Sequence, residues 1–359
     1  MHPHRPKLAD QVAAELQAAI ATGRWTEWLP QERQLAVEFR VSRTTLREAL
    51  SRLIERGLIQ SRAGEGHRLV RKKRPPAAAA PRHVNLLMPE DMRALRPGAA
   101  RWIDELRGKL AERGETLRLV ESRAAFSGRP ANALRRLVQH DTPACWVLQL
   151  STQPMQEWFA SHKLPCVVVG TCFKGMNLPF VDRDHHAACR HAVGRLVAAG
   201  HRRIALLVPA AQKAGDVESE TGFRAGTEAA GLGDAVVVLR LPGDTATIDR
   251  TLGRLLSADP APTALLTTQP EIYLTAFSSL AHRRLRVPDD VSLVCCAHDR
   301  VLDHLVPQPT GYRIAWQTFA ARVVRLVVEV SERRLTAPIG HLILPEFVPG
   351  ASLRTIRGS

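Results

Sequence analysis

The twelve residues Arg-Lys-Lys-Arg-Pro-Pro-Ala-Ala-Ala-Ala-Pro-Arg at 71–82 cannot join a packed element. Three prolines and a basic run make this stretch a linker, whose basic part is also able to touch phosphate. It divides the 359 residues into a short N-terminal part and a long C-terminal part. Their hydrophobic patterns differ, so each half must be read by its own periodicity.

Before the linker the period is helical. Leu8, Val12, Leu16 and Ile20 fall every four residues and Gly23 ends the run. A second helix starts near Gln31, with Leu35, Ala36 and Phe39 inward. Arg40-Val41 makes a turn, and Ser42 stands where an N-cap hydroxyl is needed. The third helix covers about 43–55, with Leu46, Leu50, Leu53 and Ile54 inward and Gly57 as its C′ residue. Residues 58–61 and 67–70 read as two strands joined by Gly64-Glu65-Gly66. Three helices and a glycine-tipped hairpin predict a winged helix-turn-helix. Its third helix turns Arg43, Thr44 and Arg47 away from the leucines, where arginine can grip guanine with two hydrogen bonds in the major groove. Arg33 is placed to reach the DNA backbone. Trp25, Trp28 and Leu29 read as anchors of the corner between the first two helices rather than as a base-stacking platform.

Charge agrees with this placement. The net charge is +15, and residues 1–82 hold sixteen Lys or Arg against eight Asp or Glu. About half of the excess thus lies on less than a quarter of the chain, which points to nucleic acid as the partner of the N-terminal part. The six cysteines show no zinc-type spacing and read as reduced core thiols. There is no apolar signal core and no membrane-length apolar run, so a cytoplasmic protein without membrane contact is expected. No nucleophile-elbow, zinc-protease or phosphate-loop motif is present, and neither an enzyme activity nor a cofactor is expected.

After 83 the pattern changes to continuous apolar strands, at 84–88, 117–120, 145–150, 165–169, 203–208, 235–239, 264–266 and 291–295, alternating with amphipathic helices such as 102–113 and 187–199. Such strands belong in parallel sheets covered on both faces. The fold class is therefore α/β: a winged helix followed by two parallel-sheet lobes, with a ligand expected at the carboxyl ends of the strands.

Three segments carry a family resemblance: Leu29-Pro-Gln-Glu-Arg-Gln-Leu-Ala36, Val41-Ser-Arg-Thr-Thr-Leu-Arg-Glu-Ala-Leu50 and Leu53-Ile-Glu-Arg-Gly-Leu-Ile59. They resemble the GntR-type winged-helix repressors over roughly 5–70. The resemblance implies operator contacts from Arg33, Ser42, Arg43, Thr44, Thr45 and Arg47. It also implies a wing tip, here Gly64, Gly66 and His67, in the minor groove; Glu65 departs from the basic or neutral residue usual there. The body resembles the LacI/GalR-type effector domain through Val181-Asp-Arg-Asp-His-His186, Ala198-Ala-Gly-His-Arg-Arg-Ile-Ala205, Gly222-Phe-Arg-Ala-Gly226, Ala261-Pro-Thr-Ala264 and Arg286-Val-Pro-Asp-Asp-Val-Ser-Leu-Val294. Together the two resemble the arabinose-repressor arrangement. That implies a periplasmic-binding-protein-like body of two lobes and three crossovers, a ligand cleft between the lobes, and a homodimer formed by the bodies.

Where sugar-sensing relatives carry an Arg, an Asn-Asp pair and a further Asp in the cleft, this chain has Ser219, Gln269-Pro270 and Ala297. An ordinary sugar held in the ordinary way is therefore not expected. Candidate cleft residues are Met88, Glu90, Ser151, Gln153, Thr171, Ser219, Gln269, His298 and Asp299. The expected organisation is a DNA-binding domain at 1–70, the linker at 71–82, an effector domain at 83–350 and a tail at 351–359. The expected function is a repressor that binds a palindromic double-stranded operator under control of a small molecule. Two other readings stand beside it: a DNA-binding or architectural protein whose body senses nothing, and a metal-binding or hydrolytic protein using Asp182, Asp184, His185 and His186.

Overall fold

The computed structural model describes residues 8–21, 24–25, 27–62, 66–70, 82–89, 97–210, 213–335 and 337–356. The chain forms two compact units, 1–80 and 81–359.

In the first unit, α1 (Leu8–Ala21), α2 (Glu32–Glu38) and α3 (Arg43–Glu55) precede the antiparallel hairpin of β1 (Ile59–Arg62) and β2 (Gly66–Leu69). Val12, Leu16, Leu35, Leu46, Leu50, Leu53 and Ile59 close one core. Two residues expected inside are not. Leu8, in the first turn of α1, is 56% exposed, and Ile54 is 39% exposed. At about 100° per residue Ile54 lies roughly 80° round α3 from Leu46, whereas Leu53 lies within about 20° of it. Gly57 takes the positive φ of 66° that ends α3. The hairpin also gains an unforeseen partner. Trp28 bridges Arg68, Leu29 N–H donates to the His67 carbonyl at 2.9 Å, and Leu69 N–H donates to the Glu27 carbonyl at 2.9 Å.

The second unit holds two six-stranded sheets. The first contains β3 (His83–Met88), β4 (Thr116–Glu121), β5 (Cys145–Gln149), β6 (Cys166–Val169), β7 (Phe180–Arg183) and β13 (Gly340–Ile343). Its order is β13-β7-β6-β5-β3-β4 and all its pairs are parallel. One face packs on α4 (Pro97–Glu112) and α11 (Trp316–Ser331), and the other on α5 (Ala131–His140) and α6 (Gln153–Ser161). The second sheet contains β8 (Ile204–Pro209), β9 (Val236–Leu241), β10 (Ala264–Thr267), β11 (Ser292–Cys295), β12 (Thr310–Arg313) and β14 (Glu346–Val348). Its order is β14-β12-β11-β10-β8-β9, with only β14 antiparallel. It lies between α7 (His185–Ala198) with α8 (Ala214–Ala229) and α9 (Thr245–Leu256) with α10 (Pro270–His282).

The chain passes between lobes three times, from β7 to α7, from β12 to α11 and from β13 to β14. All eight body strands expected from apolar runs are present. The four that were not foreseen, β7, β12, β13 and β14, are three or four residues long and interrupt their apolar residues with Gly or charged and polar ones.

The segment expected as a tail is bound into the second lobe as far as 356. Ser352 is fully buried, accepts Thr310 N–H at 2.8 Å on its hydroxyl and accepts Leu293 N–H at 2.9 Å on its carbonyl. Arg354 N–H donates to Ser292 Oγ at 3.1 Å, and Ile356 N–H to the Ala199 carbonyl at 2.7 Å. All six cysteines are free thiols; five are buried and Cys172 is half-buried. Burial pushes the thiols of Cys166 and Cys172 up to about 12.

Helices α7 and α8 meet through glycines. A Cβ on Gly222 would run into the carbonyl oxygen of His186, and one on Gly226 would stand 2.9 Å from Val193 Cβ. Gly222→Ala should destabilise the second unit by about 1–3 kcal/mol through overpacking. Gly194→Ala, at an exposed α7 position with nothing within 4 Å, should stabilise it by up to about 1 kcal/mol. Urea unfolding of the full chain distinguishes the two, since both substitutions raise helix propensity and only one meets a neighbour.

Candidate functional site

The first candidate surface is the start of α3. Ser42 caps the helix, its Oγ accepting Thr45 N–H at 3.1 Å and lying 2.8 Å from Thr45 Oγ1. The cap fixes the first turn and leaves Arg43 and Thr44 exposed there, with Thr45 half-buried. Arg33 is exposed on α2. Arg47, 69% exposed, donates through Nε to Glu32 Oε2 at 2.9 Å. His67 on β2 places Nε2 3.4 Å from Glu32 Oε1. The hydrogen bond from Arg47, against the effect of burial and with help from His67, holds the Glu32 carboxyl below the usual carboxylate range. Gly66 is exposed at a φ of 104°. Gly64 and Glu65 lie outside the described residues.

The second candidate is a cleft of about 300 Å³ in the second unit. Its polar residues are placed by the ends of strands and the starts of helices. From the first lobe come Gln149 at the end of β5, Ser151 just beyond it, Thr171 after β6, and Asp182 on β7. From the second come Lys213 and Asp216 at the start of α8, Gln269 at the N-cap of α10, and Ala297, His298 and Asp299 after β11. Trp102, Trp316 and Phe319 form an aromatic wall. The ring centroids of Trp102 and Phe319 are 6.3 Å apart and those of Trp316 and Phe319 are 5.6 Å apart, both edge-to-face.

Five of the expected cleft residues, Ser151, Thr171, Gln269, His298 and Asp299, line it. Three others do not. Met88 is fully buried in the first lobe's core beneath α4. Gln153, at the first position of α6, points outward and donates through Nε2 to Glu157 Oε1 at 2.9 Å. Ser219 is 1% exposed and donates to the Gly215 carbonyl at 2.8 Å, because it faces α7 rather than the opening. Glu90 lies outside the described residues.

Residues not singled out beforehand shape the site. Gln156 on α6, fully buried, donates through Nε2 to Ser151 Oγ at 3.0 Å and to the Thr171 carbonyl at 3.1 Å, tying two cleft loops together. Its place between Met155 and Trp158, both buried, was the available signal. Gln149 Oε1 is buried at the cleft without a hydrogen-bond partner, and so calls for a donor from a ligand or from water.

Asp182 accepts Thr171 Oγ1 at 2.6 Å and lies 3.2 Å from His185 Nε2. Burial would raise its carboxyl, but His185, Thr171 and Arg183 outweigh that and hold it low. Asp184 is occupied in capping α7 through Ala187 N–H at 2.8 Å, so Asp182 and His185 meet while Asp184 is engaged elsewhere. Among the described residues no group of three or more His, Cys, Asp or Glu side chains is arranged to hold a metal ion. Burial raises Asp216, and the Lys213 N–H, His185 and Gln269 offset this only in part. Burial, and then Arg313, lower His298, which is therefore neutral near pH 7. The cleft thus offers one apolar aromatic side and one polar side to a small organic molecule.

A winged helix with a capped, exposed third helix, and a two-lobed α/β unit with an interlobe cleft, define the class of chain this is. The comparisons make it specific. Residues 8–69 match the gntR family of bacterial regulatory proteins, and residues 193–353 match the periplasmic binding protein-like domain. The chain therefore joins a GntR-type winged-helix domain to a periplasmic-binding-protein-like domain. It is similar to the HTH-type transcriptional regulator CelR of Thermobifida fusca, with 29% identity over 163 residues, 45% of this chain and 47% of that protein. It is similar also to the HTH-type transcriptional regulator AglR of Rhizobium meliloti, with 28% identity over 186 residues, 50% of this chain and 51% of that protein. The chain spans about half the length of these curated relatives. Its fold is shared with the solved complex of transcriptional regulator CelR and cellobiose, at a TM-score of 0.66 and 22% identity, covering 90% of this chain and all of that one. Among the described residues no helix is long and apolar enough to cross a membrane.

The raised Asp216 carboxyl has a signed consequence. A group whose folded pKa lies above its unfolded value favours the folded state below the unfolded pKa, and that support is lost as pH rises through the folded pKa. Asp216→Asn should therefore raise the unfolding midpoint of the ligand-free protein at pH 7. The gain should shrink towards pH 4, and a pH series of thermal melts measures it.

Proposed function

We propose that this chain is a sequence-specific DNA-binding transcriptional regulator, a repressor, whose operator affinity is set by a small molecule in the interlobe cleft. The observation that carries the proposal is the first turn of α3, where a fixed cap holds Arg43 and Thr44 outward on an exposed face. Arg33, Ser42, Thr45 and Arg47 complete that surface, with Gly66 and His67 on the wing and Gly64 beyond the described residues. The protein acts in the cytoplasm as a homodimer formed by the second units, so its operator is an inverted repeat.

Effector control follows from the cleft's position between lobes joined by three crossovers. A ligand that touches both lobes stabilises one lobe arrangement over another, and only that difference in affinity can reach the DNA. Ser151, Thr171, Gln269, His298 and Asp299 are the proposed contacts, joined by Gln149 and Asp216. CelR is known in complex with cellobiose. Here Pro270 and Ala297 line the cleft where sugar-sensing relatives carry carboxylates, and Ser219 is turned away, so the effector is not an ordinary sugar held through charged pairs. The relatives are regulators, and the chain works by binding rather than by catalysis.

Operator selection with the purified chain, followed by footprinting, should reveal an inverted repeat. Arg43→Ala should cost about 1–3 kcal/mol at one base position per half-site, with binding that weakens steeply as salt is raised. Undiminished preference at every position would remove Arg43 from the reading surface. Calorimetry with metabolite panels tests the effector half: saturable binding that changes operator affinity is expected, and binding that leaves operator affinity unchanged would refute it.

A further inference from the structure

Glu32 is in a place where an acidic side chain should be a disadvantage. It lies in the first turn of α2, one-third exposed, beside the helix that carries Arg43, Thr44 and Arg47. A carboxylate near DNA is repelled by phosphate. Two bonds give it a purpose. Arg47 Nε donates to Oε2 at 2.9 Å, and His67 Nε2 lies 3.4 Å from Oε1. The three side chains come from three elements: α2, α3 and the wing strand β2.

The geometry spares the part of Arg47 that reads bases. A guanidinium has five N–H donors, and the bond to Glu32 uses the one on Nε. The two terminal nitrogens keep their donors, on a side chain that is 69% exposed. Those donors are the pair able to meet guanine O6 and N7. On the other oxygen, the His67 ring is only 11% exposed and its Nδ1 is buried without a partner. The His67 backbone is held as well, since its carbonyl accepts Leu29 N–H at 2.9 Å. Glu32 is thus pinned from the recognition helix and from the wing at once, and Arg47 with His67 keeps it ionised against the effect of burial.

We propose that Glu32 is a positioning residue for base reading, holding Arg47 in one orientation and, through His67, locking the wing to the recognition helix. On the operator-binding reading above, sequence discrimination then depends on a carboxylate that itself touches no base. An arginine released from this pin would serve phosphate and base alike, whereas a pinned one is preorganised for a single contact.

The alternative is an ordinary exposed ion pair, which contributes little and yields to DNA. The two accounts differ in sign. If the pair is incidental, Glu32→Gln removes a repelling charge and tightens binding to every duplex equally. If Glu32 positions Arg47, the substitution leaves non-specific binding unchanged or tighter while operator binding weakens.

The experiment uses the full chain, an operator selected by the wild-type protein, and a scrambled duplex of equal length, titrated over a range of salt. Glu32→Gln is expected to lower the ratio of operator to scrambled affinity roughly tenfold, with an unchanged salt slope. The lost preference should fall at the base position that Arg47→Ala also relaxes. Glu32→Asp, which keeps the charge but shortens the reach to Arg47 Nε, should lower the ratio by roughly threefold and serves as the second variant should Glu32→Gln unfold the head. A ratio maintained in both variants, or a loss at positions Arg47 does not read, overturns the proposal while leaving operator binding intact. A wild-type chain that prefers no sequence overturns both.

Discussion

Parallel strands cannot be joined across a tight turn; each connection must travel back over a face of the sheet before the next strand begins. In the second unit this one constraint brings the carboxyl ends of the strands and the first turns of the following helices to a single edge of each lobe. The strands themselves, such as Cys145–Gln149 and Cys166–Val169, are buried along their whole length. Polar chemistry is therefore displaced to the positions just beyond them. Ser151, Thr171, Gln269 and His298 are all such positions, and three crossovers keep the two edges opposed.

Stability and site chemistry are separated within that arrangement. Leucine, valine and cysteine fill four apolar layers around the two sheets. The cleft, by contrast, keeps groups that burial penalises: Asp182 compensated by His185 and Thr171, Asp216 only partly compensated, and Gln149 Oε1 with no partner. Gln149 and Asp216 stand where a ligand would relieve them, whereas Asn85 Oδ1 and Glu115 Oε2 are buried without partners away from the cleft.

Sequence pattern was legible wherever one physical signal dominated. Long apolar runs marked the eight interior strands, and the serine cap and the positive-φ glycine marked both ends of α3. It was not legible where burial is decided by a distant partner. Phe180–Arg183 and Thr310–Arg313 become strands because apolar neighbours pair with them, not through their own composition. Ile54 fails to reach the core because it sits at the margin of an apolar arc. In the site, five candidates taken from strand ends line the cleft, while Ser219 and Gln153 show the limit of such placement: the rotation of a helical side chain is set by packing that spacing alone does not reveal. Gln156, buried among apolar neighbours, is a residue that only tertiary contacts can assign.

The threading of the last elements gives the second unit an order in time. Strand β13 completes the first lobe, and β14 with Ser352 completes the second, so each lobe depends on residues beyond 339. A ribosome delivering this polypeptide releases the winged helix with all of its core residues more than two hundred positions earlier. The winged helix can thus take shape on the nascent chain while both lobes still lack a strand.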